Sequence, residues 1–577
     1  MPPRARSARP LASLVLALTL LLSGCRLPLG GRLATTPTVA EPMSTPAAVG
    51  PPAPVTLAGT PMPVGTETVI EAPPPIPAPP ATGEQRLTLA GSPDGPLTLD
   101  PALVRDADSA FIVRQIFRGL VRLDTRLQPV PDLAERIRIS SDGLTYTFEL
   151  RDRASFHDGR LLTAEDVKYS LERATDPALV GGDGRQLPAW AYLRDILGAE
   201  ERMAGQRPDL PGIEVVDLLT VRIRLARPAP DFLQKLTAPP AFIVDRWDVV
   251  EGEGWWRHPN GSGPFVLARW EEQRLLVLRA YPGYAPGAPV LQEVDIRLGA
   301  DALEPMNQYE RGQLDLVSVP LWALDRVQAP NSPLRQELRV QPLFAGSFVL
   351  LNPNIPPLDD PAVRRALIQG FEREKIARVS LNGVVEPARG LVPNGMLGRD
   401  WPATLPPYDP AAARAALQSR LSGQRLLLYT AGSSVPVTLK QVYERDLGIE
   451  TEVLLMEWPD YLQDLTDRRL PIFVLSWVAD YPDPASFLTA LFHSGSPDNY
   501  LGYQNPEVDR LLDQAAQEPD ERVRAQLYAE AQQRILDDFV VIPLYWDVSY
   551  LLVKPNVQGL ELTPLGILGL ERVWISG

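Results

Sequence analysis

The chain has 577 residues, more than a single hydrophobic core supports, so at least two compact domains are expected. A net charge of −15 and 45% hydrophobic residues fit a globular protein and argue against a nucleic-acid-binding protein, which needs a basic surface. One cysteine and three histidines exclude a disulfide framework, zinc fingers and iron–sulfur clusters, and no metal or cofactor is predicted.

Residues 1–24 have the pattern of a secretion signal. Three arginines precede an apolar run from Leu11 to Leu22. The run is shorter than the roughly 20 residues that span a bilayer. It ends in Leu22-Ser23-Gly24-Cys25, which resembles the lipobox of bacterial lipoproteins. The resemblance implies that the thiol of Cys25 carries a lipid that attaches the chain to a membrane.

Residues 25–84 are predicted to be a disordered, partly polyproline-II tether. The segment is rich in Pro, Thr, Ala and Gly, with runs such as Pro73-Pro74-Pro75. Proline fixes φ and has no N–H to donate, so such runs form neither a helix nor a central strand.

Strands and helices then alternate from about Arg86. Alternating polar and apolar residues predict strands over 144–150 and 220–225, and a third strand covers 275–278. Gly261-Ser262-Gly263-Pro264 precedes a predicted strand and not a helix, so it is interpreted as a turn.

Helix starts are marked by capping residues. A capping box begins at Thr163, and the other predicted N-caps are Asp360, Asp409 and Asn505; a further, amphipathic helix is predicted from Asp520. The helix after Asp360 is predicted to continue through Phe371 and Ile376. The last helix is predicted to bury Val523, Leu527, Ala531 and Ile535 and to reach Phe539. Together the elements predict a mixed α/β fold without internal repeats.

Motifs of common enzymes are missing from the sequence. It has no His-Glu-x-x-His, no Gly-x-Ser-x-Gly and no Gly-Lys-Ser/Thr phosphate loop. With 71 acidic residues, a chosen pair of carboxylates carries no information about a hydrolase. No enzymatic activity is therefore predicted.

Several segments resemble the family 5 extracellular solute-binding proteins of ABC importers, which include oligopeptide-, dipeptide- and nickel-binding proteins. The resemblance covers about residues 86–577 in the family's order. The segments that carry it are Leu99-Asp100-Pro101 with Gln115 to Val121, Ser141 to Phe148, Phe156 to Gly159 with Thr163 to Val167, Gly261 to Phe265 with Trp270 and Tyr281 to Tyr284, Trp477 to Pro484, and Asn505 to Asp509.

The resemblance implies a two-lobed, periplasmic-binding-protein-like clamshell of type II with an extra subdomain. Lobe I would be discontinuous, formed by residues 85–127, 236–345 and 536–577. The inserted subdomain would be residues 128–235, and lobe II residues 346–535. Ligand would bind in the cleft between the lobes and stabilise closure.

Asp480 is the leading candidate for ligand binding. In peptide-binding relatives the Asp of this Trp-x-x-Asp segment receives the α-ammonium of the ligand, a charge-assisted hydrogen bond. Trp477, Ala479 and Tyr481 belong to the same segment, and the two aromatic residues are predicted either to line a pocket or to pack in the core. Some relatives carry an Arg three residues before the Trp, but Val474 stands there, so the partner of a ligand carboxylate stays open.

Three further segments are predicted to face the ligand. The lid subdomain is expected to contribute an aromatic residue, Trp190 or Tyr192. A loop from Arg105 to Asp108 matches a ligand-facing loop, which adds Asp106, Ala107 and Asp108. The segment Gly346-Ser347-Phe348 is expected to run beside Trp477 and to offer backbone groups to an extended peptide.

The predicted function is a monomeric, membrane-anchored, extracytoplasmic receptor that binds short peptides and delivers them to the permease subunits of an ABC importer. One alternative keeps the fold and changes the cargo to an oligosaccharide, a metal chelate or another small solute. Another is a ligand-sensing or chaperone-like lipoprotein that is not coupled to import, and a lipid-anchored hydrolase is the fourth hypothesis.

Overall fold

The computed structural model describes residues 67–74, 83–181, 187–249, 254–299, 304–381, 383–421, 423–566 and 569–577. The predicted signal peptide, Cys25 and most of the predicted tether lie outside the described residues. No helix in the described part of the chain is long and apolar enough to cross a bilayer.

The strands, in chain order, are β1 (Thr68–Glu71), β2 (Arg86–Ala90), β3 (Val121–Leu123), β4 (Pro129–Pro131), β5 (Ala134–Ile139), β6 (Thr145–Leu150), β7 (Ile213–Val215), β8 (Thr220–Arg224), β9 (Phe265–Glu271), β10 (Leu275–Ala280), β11 (Glu293–Arg297), β12 (Leu316–Ser318), β13 (Leu338–Leu351), β14 (Glu386–Pro387), β15 (Leu426–Thr430), β16 (Thr451–Leu455), β17 (Ile472–Val478), β18 (Val541–Val553), β19 (Val557–Gln558) and β20 (Trp574–Ile575).

The α-helices are α1 (Ala107–Ile116), α2 (Ala164–Ala174), α3 (Trp190–Leu193), α4 (Ala199–Met203), α5 (Phe232–Lys235), α6 (Arg246–Val249), α7 (Pro305–Glu310), α8 (Leu324–Gln328), α9 (Pro361–Gln369), α10 (Arg373–Lys375), α11 (Pro410–Gln418), α12 (Val435–Val442), α13 (Trp458–Thr466), α14 (Leu488–Phe492), α15 (Pro506–Gln517) and α16 (Glu521–Asp537). Two π-helical segments cover Ile376–Ser380 and Tyr443–Leu447. Short 3-10 helices cover Pro101–Leu103, Pro177–Val180, Pro239–Ala241, Trp255–Arg257, Leu321–Ala323, Pro333–Gln336, Met396–Gly398 and Pro484–Ser486.

Two large sheets organise the described residues. A five-stranded antiparallel sheet has the order β1-β5-β6-β8-β7. An eleven-stranded mixed sheet runs β16-β15-β17-β13-β18-β12-β2-β11-β10-β9, and β14 pairs with β18. The long strands β13 and β18 pair along most of their length at the centre of this sheet, so they join its two halves.

The prediction of a disordered tether is wrong for residues 68–71. Thr68–Glu71 pairs antiparallel with Ile139 to Arg136 and forms β1 at the edge of the five-stranded sheet. Arg136 bonds Glu71 at 2.7 Å, and Ile70 packs against the neighbouring hydrophobic core. Pairing with β5 makes Thr-Val-Ile-Glu a strand, and its β-prone residues allow this although the composition of the surrounding segment favours a tether.

The predicted helix caps are confirmed. Thr163 and Asp166 form a capping box, and the other three predicted caps each accept backbone N–H groups of the first turn. Asp520 caps α16 in the same way. The helix after Asp360 is shorter than predicted, however, and ends at Gln369 with Gly370 as its C-cap. A Cβ at Gly370 would lie 2.6 Å from the Leu447 side chain, so the two segments pack closely at the end of this helix.

The buried face of α16 was also predicted incorrectly at its first turn. Val523 is 41% exposed, whereas Arg524 and Tyr528 are buried on the neighbouring face. Arg524 lies 3.2 Å from the fully buried Asp483, so an ion pair takes the place where the apolar pattern put a valine.

Candidate ligand-binding site

Asp480 lies two residues beyond the end of β17 and contacts a residue far away in the sequence. Tyr192, on α3, donates its hydroxyl hydrogen bond to Asp480 Oδ2 at 2.7 Å. The structure thus brings together the predicted ammonium-binding carboxylate and one of the two predicted aromatic lid residues.

The electrostatics around Asp480 favour a cationic partner. Burial raises its pKa to about 6, against lowering contributions from the Tyr192 hydrogen bond and the nearby charge of Arg114, while the charge of Asp498 raises it. The guanidinium of Arg114 donates to the carbonyl of Thr237 at 2.8 Å. A desolvated carboxylate that is paired with a neutral hydroxyl would gain free energy from a cation.

The other residues of the Trp-x-x-Asp segment hold this loop in place. Trp477 Nε1 donates to the carbonyl of Ser486 at 2.7 Å, and its half-buried ring lies 6.5 Å from the ring of Tyr500. Ala479 is buried. Tyr481 is buried as well, with its ring 6.3 Å from that of Tyr192.

Trp190, the other predicted lid aromatic, lies at the start of α3. Its ring is 5.1 Å from the ring of His493, and the guanidinium of Arg194 lies 4.3 Å above it. It is half-buried. Trp190 and Tyr192 therefore both contact the segment that follows β17.

The predicted ligand-facing loop begins α1. Asp106 is the N-cap and accepts the backbone N–H of Ser109 at 2.8 Å. Ala107 and Asp108 are exposed in the first turn. Arg105 donates to Asp498 at 2.9 Å, which links this loop to the surroundings of Asp480.

The three predicted residues of β13 have different environments. Gly346 pairs with Trp477 on one side and Trp546 on the other, and a Cβ there would lie 2.7 Å from the Trp546 ring. Ser347 is buried, with its hydroxyl 2.8 Å from that of Ser476. Phe348 is buried in the hydrophobic core.

One edge of β17 is open at its C-terminal end. β15 pairs with β17 at Ile472 and Phe473 and then ends at Thr430. Ala479 N donates to Phe344 O at 2.8 Å on the β13 side. Because antiparallel pairs alternate, the backbone groups of Ser476 and Val478 point to the opposite, open edge.

A cavity with a volume of about 600 Å³ adjoins this edge. Its lining residues are Leu321, Trp322, Leu381, Thr430, Ala431, Ser433, Ser434, Trp458, Tyr461, Val474, Leu475, Ser476 and Tyr545. The volume lies within the usual range of ligand pockets. Val474, which replaces the arginine of some relatives, is therefore part of the cavity wall, and its carbonyl accepts a hydrogen bond from Tyr461 at 2.7 Å.

Sequence reasoning missed several residues of this site. Arg114 and Asp498 influence the carboxylate of Asp480, and Trp322, Trp458 and Tyr545 line the cavity. The first turn of α1 was predicted to face the ligand, and Arg114 lies seven residues beyond its start. Seven residues are about two helical turns, so periodicity could have placed Arg114 on the same face of the helix. The three aromatic residues carried no comparable signal.

The family profile described as bacterial extracellular solute-binding proteins, family 5, middle region, matches residues 128–499. The chain belongs to this family. The predicted resemblance is confirmed, and with it a two-lobed mixed α/β fold and the role of an extracytoplasmic binding protein in place of an enzyme.

Two relatives differ in the solute that their names give. The chain is 26% identical over 494 residues to the oligopeptide-binding protein OppA of Bacillus subtilis. The aligned region covers 82% of this chain and 89% of OppA. It is 31% identical over 490 residues to the probable deoxycholate-binding periplasmic protein YgiS of Escherichia coli. That aligned region covers 81% of this chain and 89% of YgiS.

Among solved structures, the murein tripeptide binding protein MppA of Escherichia coli is 25% identical and superposes with a TM-score of 0.78 over 86% of this chain and 99% of that chain. The unliganded open form of MppA, 26% identical and covering 86% and 98%, has a TM-score of 0.60. The conformation of this chain is therefore more similar to the first structure than to the open form.

Proposed function

We propose that this chain binds short peptides in an extended conformation, with the peptide ammonium at Asp480, and delivers them to an ABC importer. The observation that carries the proposal is the desolvated Asp480 carboxylate, whose pKa is raised to about 6 and whose hydrogen-bonding partner is the neutral Tyr192 hydroxyl. An ammonium group would replace a neutral donor by a charged one, which roughly doubles the strength of such a hydrogen bond.

The open edge of β17 supports recognition of a peptide main chain. The N–H and C=O groups of Ser476 and Val478 are directed to an edge that a further strand can join. A peptide that adds a strand there gains affinity from its own backbone, whatever its side chains. The cavity of about 600 Å³ next to Ser476 provides room for side chains.

A bile salt is the second candidate, because the relative at 31% identity is a probable deoxycholate-binding protein. The aromatic residues Trp322 and Trp458 of the cavity would suit a steroid. Deoxycholate is an anion, however, and the carboxylate of Asp480 would repel it. The charge of the site therefore favours the peptide.

The test uses isothermal titration calorimetry with tri-, tetra- and penta-alanine, their N-acetylated forms and deoxycholate. We expect the free peptides to bind and the acetylated forms to bind at least tenfold more weakly. Asp480→Asn keeps the shape and the hydrogen bond from Tyr192, and it should lower the affinity for free peptides by one to two orders of magnitude, since a charge-assisted hydrogen bond contributes about 1.5–3 kcal/mol.

The exposed Asp460 on α13 supplies the matched control, because Asp460→Asn removes one negative charge outside the Asp480 environment. It should leave peptide affinity unchanged. Equal binding of free and acetylated peptides, or binding of deoxycholate alone, would contradict the proposal.

We also propose that lipid on Cys25 attaches the protein to the outer face of the membrane, and that the lobes divide the chain as predicted above. The support for the anchor is the lipobox-like sequence that ends in the single cysteine. The protein is also proposed to be a monomer in complex with its solute.

A further inference from the structure

A second desolvated carboxylate lies beside the cavity. Asp547, on β18, is removed from water, and burial raises its pKa to about 6. The hydroxyl of Ser347 lies 3.3 Å and 3.4 Å from its two carboxylate oxygens. Among the described residues, no lysine or arginine lies within 4.0 Å of Asp547 to form an ion pair. A half-buried anion without a cation is costly unless a ligand supplies one.

The pairing of three strands places Asp547 on the same sheet face as two residues that line the cavity. Ser347 of β13 is directly opposite Ser476 of β17 and Tyr545 of β18. Side chains of directly opposite residues point to the same face of a sheet, and residues two apart in a strand also share a face. Tyr545 and Asp547 are two apart, so both are on the face of Ser476. Ser476 and Tyr545 line the cavity.

Aromatic rings surround the same space. Trp322 is 79% exposed at one wall of the cavity, and Trp458 at the start of α13 forms another. The face of an indole ring attracts a cation by about 0.5–2 kcal/mol, depending on its exposure. Indole rings that line a cavity, together with a carboxylate on the same sheet face as Ser476 and Tyr545 of its lining, have the chemistry of a site for an ammonium or guanidinium group.

We propose that Asp547 determines specificity by binding a second cationic group of the ligand, the side chain of a lysine or arginine in the bound peptide. This inference rests on the proposed peptide-binding function and names the class of peptide. Asp480 follows Ser476 by four residues, which corresponds to roughly 13 Å of extended chain at about 3.3 Å per residue. With the peptide ammonium at Asp480, the basic residue belongs near the third to fifth position.

The competing interpretation is that Asp547 merely accepts the hydrogen bond of Ser347. Asp547→Asn separates the two roles, because the amide keeps the shape and an acceptor oxygen and loses the charge. Asp460→Asn is again the matched control, since Asp460 lies two residues after Trp458 on the same helix and is exposed.

The experiment measures binding of penta-alanine peptides that carry one lysine, scanned through positions 2 to 5, against counterparts with norleucine at the same position. Norleucine keeps the apolar stem and lacks the charge. For the unaltered full chain we expect at least a tenfold preference for lysine at one position. In Asp547→Asn the preference should fall below twofold, while the norleucine peptides bind within threefold of their original affinity.

Equal binding of lysine and norleucine peptides at every position of the unaltered protein would overturn the inference, and this comparison does not depend on a variant that folds. A preference that persists in Asp547→Asn would overturn it as well. In either case the norleucine peptides still bind through Asp480, and the proposed function stands. If no peptide of either series binds, the proposed function itself fails, and the inference fails with it.

Discussion

Asp480 and Asp547, the two carboxylates of the proposed site, have the same physical property. Both are carboxylates whose pKa is raised to about 6 by burial, and each accepts a hydrogen bond from a neutral hydroxyl. In the ligand-free protein the ionised form is therefore disfavoured by its surroundings. A cationic ligand reverses this preference, so binding and proton release are linked.

The affinity for peptides should therefore fall in mild acid. At pH 7 both carboxylates are mostly ionised, and at pH 5, one unit below a pKa of about 6, about one tenth of each remains ionised. A norleucine peptide that needs only ionised Asp480 should bind about tenfold more weakly at pH 5. A lysine peptide that needs both should lose roughly a hundredfold, measured by calorimetry in matched buffers.

The groups around Asp480 set the sign of this effect. Burial lowers the pKa of Arg114 while the charge of Asp480 raises it, and Tyr192 remains neutral because burial holds its pKa well above its ordinary value. Asp498, held at 2.9 Å by Arg105, contributes a negative charge nearby. In Asp480→Asn the pH dependence of the norleucine peptide should disappear, and an unchanged dependence would assign the titration to another group.

At the scale of elements, α1 shows how one residue can fit two explanations. The loop that begins this helix was predicted to face the ligand, and Asp106 within it serves as the N-cap. Its carboxylate accepts the N–H of Ser109, which explains the aspartate without a ligand. Asp106 is therefore a structural residue of the site, whatever it contributes to binding.

Replacing the cap should loosen the first turn of α1. Asp106→Ala removes the acceptor for Ser109 N–H, which costs about 1 kcal/mol and corresponds to roughly fivefold faster exchange of that amide. Hydrogen exchange by mass spectrometry over residues 105–116 reports this change. Asp106→Asn keeps the cap and should exchange nearly as the unaltered protein.

Asp108→Ala is the matched control, because Asp108 is exposed in the same turn. It should change exchange of the Ser109 amide less than twofold. Equal exchange in the two alanine variants would mean that the Asp106 hydrogen bond does not stabilise the helix.

Local signals explain which elements were predictable. Caps such as Thr163 and Asp360 depend on neighbours within four residues, so the sequence indicated them directly. Strand β1 was missed because pairing with β5, about 65 residues later, decides the structure of a segment whose composition favours a tether. Val523 was misplaced because an ion pair between Arg524 and Asp483 overrides the apolar period.

At the scale of the whole molecule, some residues of the site could be proposed from the sequence and others could not. Asp480 and Tyr192 could be proposed from the family resemblance, although 288 residues separate them. Asp547 could not be proposed, because its position beside Ser347 depends on a strand pairing across 200 residues and on an irregular register. Residues become a site through tertiary pairing, and a single sequence does not encode that pairing in any local pattern.

The anchor gives a prediction for the whole chain. Cys25→Ser removes the thiol that the lipobox-like sequence offers for lipid, so the protein should move from the membrane fraction to the soluble extracytoplasmic fraction while its peptide affinity is unchanged. Fractionation with immunoblotting measures this, and light scattering of the released protein should give the mass of a monomer. A Cys25→Ser variant that stays in the membrane fraction would exclude the lipid as the anchor.

The central ribbon of β13 and β18 has one further consequence. Its register shifts between Pro342, opposite Val548, and Gly346, opposite Trp546, so Asp547 faces the interruption in the ladder. Bending of a sheet concentrates at such bulges, and these two strands join its halves. A solute bound at Asp547, as proposed, would contact the point where this bulge bends the sheet. Basic and neutral cargo should then differ mainly in residence time, through the dissociation rate, and little in the rate of capture.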